Sequence, residues 1–149
     1  MNDVSKTPLI FQFFTEIGII EQLSRSALER NIPHGLKISQ FSLLNHFVRL
    51  GGIESPAQLA SAFQVTKGAM TNTLQRLEAL GFIDVIIDPK DKRAKQVSIT
   101  KAGVQAHEDS IRALGPMLQE ILENIPASDF EKALPFLTHV RKYLDEQRF

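Results

Sequence analysis

Apolar side chains recur at Ile10, Phe13, Phe14, Ile17, Ile20, Leu23 and Leu28 after Pro8, a spacing that predicts a first helix with a wide apolar face over residues 8–30. Phe41, Leu44, Phe47, Val48 and Leu50 repeat the pattern. They predict a second helix capped by Ser39 and stopped at Gly51-Gly52, where a left-handed turn costs a glycine nothing sterically. In ESPAQLASAF, Ser55 and Gln58 form a capping box around Pro56, so a short third helix starts there. After Gln64-Val65, Thr66 is the N-cap of a fourth helix whose Met70, Leu74, Leu77 and Leu80 face inward until Gly81 ends it.

The period then changes. FIDVIID is rich in β-branched residues, and QVSIT alternates Val97 and Ile99 inward with Ser98 and Thr100 outward, so the two predict a hairpin. Asp88-Pro89 opens its connection, and PKDKRAK is polar enough to be its exposed tip; if that tip is extended, Asp91 and Arg93 project to the same side. Thr100 caps a fifth helix carrying Val104, Ile111, Leu114, Leu118, Ile121, Leu122 and Ile125, with a bend expected at Gly115-Pro116. A last helix is predicted from the capping box of Ser128 and Glu131, with Phe130, Leu134, Leu137, Val140 and Leu144 in a stripe and Pro135 kinking it or delaying its start. The fold class is mainly α with a small β-hairpin. Helix, helix, helix, strand, charged tip, strand is the order of a winged helix-turn-helix, here over residues 38–100.

Composition narrows the chemistry. No apolar run approaches the roughly 20 residues of a bilayer span, and the N-terminus lacks a secretory cleavage pattern, so a cytoplasmic protein is expected. The absence of cysteine excludes disulfides and thiol redox sensing. Acids and bases balance at 17 each, but by cancellation between regions. Residues 66–101 hold seven bases against four acids, and residues 102–149 five bases against eight acids.

The positive excess therefore falls on the fourth helix and the hairpin. Once the core face of that helix is assigned, Lys67, Gly68, Thr71, Asn72, Gln75 and Arg76 remain as a face suited to base edges and phosphates. The hairpin tip contributes Lys90, Asp91, Lys92, Arg93 and Lys95, cations that phosphates would neutralise with release of counterions. Asp91 stands two residues from Arg93 and could hold its guanidinium for a narrow minor groove; a plain surface ion pair accounts for the same spacing.

DPKDKRAKQVSITKAG resembles the wing signature of the MarR family of bacterial transcription regulators: an Asp, a second Asp, an Arg, a small residue, then Val-x-Leu-Thr-x-x-Gly. The matching positions are Asp88, Asp91, Arg93, Ala94, Val97, Ile99, Thr100 and Gly103, with Ile99 where Leu is usual. VTKGAMTNTLQRLEALGFI likewise resembles the family's recognition helix and its exit into the wing. The resemblance implies a homodimer that binds a palindromic operator in double-stranded DNA, with helices over 8–30 and 101–149 interlocking between subunits. It further implies a repressor or activator of genes, the former favoured, whose lobe spacing a small-molecule effector alters. Phe13, Phe14, Phe130, Phe136 and Phe149 would suit the subunit interface, although core packing within one chain is the first expectation for any single one of them. If the family fold holds, Phe14, His46 and Phe47 line an effector pocket; a structural histidine is the competing role for His46. Against the pattern, Pro116 is expected to interrupt a helix that is usually continuous.

An enzyme is disfavoured. His34, His46, His107 and His139 are scattered, no phosphate-binding glycine loop occurs, no catalytic residues group together, and no cofactor or metal is expected. The alternative in another class is a winged-helix module that binds protein and not DNA. The net charge of the chain leaves it open, while the cationic tip and the hydrogen-bonding helix face favour DNA.

Overall fold

A computed structural model describes residues 4–148. A short 3-10 turn at Val4–Lys6 leads into α1 (Thr7–Asn31), followed by α2 (Ile38–Leu50), α3 (Pro56–Ala62) and α4 (Lys67–Ala79). The hairpin β1 (Ile83–Ile87) and β2 (Lys95–Ile99) precedes α5 (Lys101–Asn124) and α6 (Ala127–Gln147). The chain divides into two compact units, one ending at Ala113 and one beginning at Leu114.

The first unit is built on one apolar core. Leu43, Leu44 and Phe47 of α2, Leu59 of α3 and Leu77 of α4 are buried together with Ile83 and Val97 of the hairpin and Ala106 of α5. Antiparallel pairing sets Ile83 opposite Ile99, Val85 opposite Val97 and Ile87 opposite Lys95, so the row containing Ile83, Val85, Val97 and Ile99 faces the core. Glu54 adds a single-residue third strand. Its N–H donates to the Val97 carbonyl at 3.1 Å, and its carbonyl accepts from the Val97 N–H at 2.8 Å.

Most helix starts follow the expected chemistry. Ser55 Oγ accepts from the Gln58 N–H at 3.1 Å while Gln58 Oε1 accepts from the Ser55 N–H at 2.8 Å, which closes the capping box. Thr66 Oγ1 accepts from the Ala69 N–H at 3.1 Å, and Thr100 Oγ1 accepts from the Gly103 N–H at 3.0 Å.

Two caps differ. Ser39 lies inside α2, whose N-cap is Lys37. Gln40 Oε1 accepts the Lys37 N–H at 2.9 Å and Glu29 Oε1, reaching over from α1, accepts the Ile38 N–H at 3.1 Å, so the first donors of α2 are satisfied without a hydroxyl. Likewise Ser128 lies inside α6, whose N-cap is Pro126, extended at φ −60° and ψ 143°. The Pro126 carbonyl takes the Asp129 N–H at 3.0 Å, and Asp129 places an anion in the first turn where the helix dipole favours one.

Neither internal proline breaks its helix. Pro116 lies within α5, correcting the expected interruption, and Pro135 lies within α6 without delaying its start. Each removes one amide donor, so the carbonyls of Arg112 and Glu131 lose their regular helical partners while the flanking turns continue.

The second unit comprises the end of α5 together with α6, and α6 has no buried residue. Phe130, Leu134, Phe136, Leu137 and Leu144 are all exposed. In the first unit α1 has no buried residue either, and Leu9, Ile10, Phe11, Phe14, Ile20 and Leu23 present apolar surface. Phe149 lies outside the described residues.

Candidate nucleic-acid interface

The turn between α3 and α4 sets the fourth helix in place. Gln64 takes a left-handed conformation at φ 54°, its N–H donating to the Ser61 carbonyl at 3.2 Å and the next N–H, of Val65, to the Ala60 carbonyl at 3.0 Å. This double closure ends α3 tightly, so Thr66, the N-cap of α4, follows three residues after the C-cap Phe63. At the other end, Gly81 at φ 77° and Phe82 close α4 in the same way, through the Glu78 carbonyl at 2.9 Å and the Leu77 carbonyl at 3.0 Å.

Between these stops α4 is strictly two-sided. Met70, Leu74 and Leu77 are buried. Lys67, Gly68, Thr71, Asn72, Gln75 and Arg76, the six positions picked out by sequence, are all exposed and recur at helical spacing on the opposite side. A Cβ added at Gly68 would meet no heavy atom within 4 Å, so the fold itself does not demand glycine there. What a Cβ would obstruct is the close approach of an outside body to the backbone.

The hairpin tip is folded rather than extended. Asp88 Oδ1 accepts the Lys90 N–H at 2.8 Å, and Asp91 Oδ1 accepts the Arg93 N–H at 3.0 Å, two carboxylates each bonding the backbone two residues on. The Asp88 N–H donates to the Ala94 carbonyl at 2.9 Å, and the Ala94 N–H to the Asp91 carbonyl at 2.9 Å. Arg93 Nε stands 3.5 Å from Asp91 Oδ1, so the expected pair exists, but the same carboxylate oxygen is already engaged by the backbone. The Arg93 side chain is 94% exposed. Its Coulomb gain is therefore small, and Asp91 acts chiefly on the shape of the tip. Lys90, Asp91, Lys92 and Lys95 are exposed as well.

Helix and hairpin share a surface. Thr71, Leu74, Gln75 and Glu78 of α4 line one cleft of about 80 Å³ together with Val85 and Lys95 of the hairpin and Pro56 at the start of α3. Glu78 is the member that sequence reasoning missed. The signal for it was there, because it follows Thr71 and Gln75 at the i, i+4, i+7 spacing of a helical stripe.

The three residues expected at an effector pocket lie in different settings. Phe47 is buried in the core, and His46, 8% exposed, packs edge-on against Phe47 with ring centroids 5.8 Å apart. His46 Nε2 also lies 2.6 Å from Glu54 Oε2. Phe14 is exposed on α1 and stacks edge-on against Phe13, with ring centroids 5.3 Å apart.

Comparison with known proteins matches residues 34–94 to the model of the MarR family. The multiple antibiotic resistance protein MarR of Salmonella typhimurium is 32% identical over 98 residues, which cover 65% of this chain and 67% of that protein. Among solved structures, the transcriptional regulator BldR from Sulfolobus solfataricus is 25% identical with a TM-score of 0.77, covering 96% of this chain and 99% of that one. A mutant MarR from E. coli complexed with operator DNA is 25% identical with a TM-score of 0.70, covering 93% of this chain and 99% of that one.

Proposed function

This chain belongs to the MarR family of transcriptional regulators, and on that premise we propose that it is a sequence-specific, double-stranded DNA-binding repressor acting as a homodimer on a palindromic operator. The observation that carries the proposal is the shared cleft: Thr71 and Gln75 of α4 and Lys95 of the hairpin border one surface, so base-reading and phosphate-binding groups are available to one ligand. The likeness to a MarR solved with operator DNA supports the same ligand class.

In this proposal Lys67, Gly68, Thr71, Asn72, Gln75 and Arg76 enter the major groove, and Lys90, Lys92, Arg93 and Lys95 meet the backbone or the neighbouring minor groove, with Asp91 shaping the tip. Dimerisation is supported by the apolar surface of α1 and α6, helices in which no residue is buried within one chain. A soluble monomer rarely leaves the apolar side chains of two long helices to water. The winged lobe of the proposal spans 38–100, and the helices that meet a second copy come from 8–30 and 101–149. A small-molecule effector acting near Phe14, His46 and Phe47 completes the proposal, on the strength of the family resemblance alone.

Selection of bound fragments from genomic DNA by the purified full chain tests it, followed by titration of the selected duplex at rising salt. A selected palindrome whose affinity falls steeply with salt is expected, with Arg93→Ala weakening it more than Lys132→Ala on α6. Failure to select any fragment would overturn the DNA-binding function and favour a winged helix that binds protein.

A further inference from the structure

We propose that Glu78 is a specificity-determining residue of the DNA face, one that acts by repulsion. The inference rests on the DNA-binding function proposed above and deepens it. Thr71, Gln75 and Glu78 form one stripe of α4, and that stripe lines the same cleft as Val85 and Lys95 of the hairpin. The cleft thus holds one cation and one anion. They do not neutralise each other, since Glu78 forms an ion pair with no cation among the described residues, and neither does Lys95 with any acid.

Helix stability gives no reason for an acid at this position. Glu78 lies in the last turn of α4, where the partial negative charge of the helix end disfavours another anion. Its backbone carbonyl closes the helix by accepting the Gly81 N–H, a role any residue would fill, and its side chain is exposed and packs no core.

A carboxylate can only accept hydrogen bonds, so in a DNA-facing cleft it discriminates. A phosphate drawn in by Lys95 meets a like charge at Glu78, and a keto oxygen on a base edge meets an acceptor with no proton to share. The amino group of cytosine in the major groove meets a partner. Glu78 therefore penalises duplexes that bring phosphate or keto groups to this end of the helix and spares an operator that places cytosine there. This is selection by an unfavourable contact with the wrong ligand, in addition to any favourable contact with the right one.

The test compares Glu78→Gln with Asp84→Asn, which removes the same charge from an exposed β1 residue that does not line the cleft. Affinities of the full chain are measured for the selected operator and for a scrambled duplex of equal length. In Glu78→Gln the scrambled duplex should bind about fivefold tighter, the size of one charge repulsion at a few ångströms near a solvated surface. The operator should gain less or lose affinity, so the ratio between the two narrows. Asp84→Asn should leave that ratio unchanged. An unchanged ratio in Glu78→Gln, or an equal narrowing in both variants, would overturn the role of Glu78. A wild-type chain that binds neither duplex would overturn the DNA-binding function itself, an outcome seen before either variant is made.

Discussion

His46 Nε2 lies 2.6 Å from Glu54 Oε2, and the same Glu54 pairs through its backbone, in both directions, with Val97 at the centre of β2. One residue thereby fastens α2 to the hairpin, using its side chain for the helix and its main chain for the strand. The His46 ring is closed in by Phe47 and Phe63, so it has no ready replacement for that partner.

Glu54→Ala should destabilise the chain by about 1–3 kcal/mol, the cost of leaving a buried polar group without its hydrogen bond. Glu54→Gln, which keeps an acceptor at the same reach, should lose less. Urea denaturation of both variants at neutral pH measures the difference, and equal losses would mean that an acceptor for His46 at this position contributes nothing to stability.

Gly103 should not tolerate a side chain. A Cβ built there runs into the Phe82 carbonyl oxygen and comes within 2.8 Å of Ile99 Cγ1. The backbone oxygen cannot step aside without moving the root of the hairpin, so Gly103→Ala should cost about 3 kcal/mol, the upper part of the usual overpacking range. The thermal midpoint measures it.

Gly68→Ala offers the opposite case. Open space surrounds the added methyl group, and alanine suits a helix better than glycine, so the variant should be unchanged in stability or more stable by up to about 1 kcal/mol. Its affinity for operator DNA should nonetheless fall if the α4 backbone approaches phosphate closely. A variant that is more stable and binds DNA as before would place Gly68 outside the contact.

Acidification should destabilise the chain in two stages. Burial holds the His107 imidazole below its ordinary pKa of 6.5, against a partial rise from Glu108, and hydrogen bonds from Gln105, His34 and Arg112 hold the Asp109 carboxyl below its ordinary 3.8. In both cases the unfolded chain takes up its proton first as pH falls. Stability is therefore lost below 6.5 on account of His107, down to its folded pKa, and lost again below 3.8 on account of Asp109. His107→Gln should flatten the first stage and leave the second, as followed by urea midpoints across that pH interval.

Much of this organisation was legible in sequence because local hydrogen bonding decides it. Ser55, Thr66 and Thr100 cap helices through groups no more than three residues away, so their signals lie within a short window. Ser39 misled for the opposite reason. The helix starts ahead of it, at Ile38, whose N–H is taken by Glu29 nine residues earlier, a contact that exists only once α1 and α2 have packed. The third strand at Glu54 is a single residue and has no periodicity to detect. In the candidate interface, polarity and helical spacing pick out the six α4 positions, whereas Glu78, a lone acid on a helix, looks like ordinary solvated surface until it is seen to line one cleft with Lys95 and Val85. Polarity marks the tip as exposed, but the two aspartate turns that fold it back are visible only in the structure.

Thr100 joins three parts of the first unit at one point. Its hydroxyl donates to the Gly81 carbonyl at 2.7 Å and accepts the Gly103 N–H at 3.0 Å, while its own N–H donates to the Phe82 carbonyl at 3.1 Å. The exit of α4, the base of the hairpin and the first turn of α5 are thus tied in one knot. A torque applied along α5 would either swing α4 and the hairpin as a single lever arm or first have to rupture that knot.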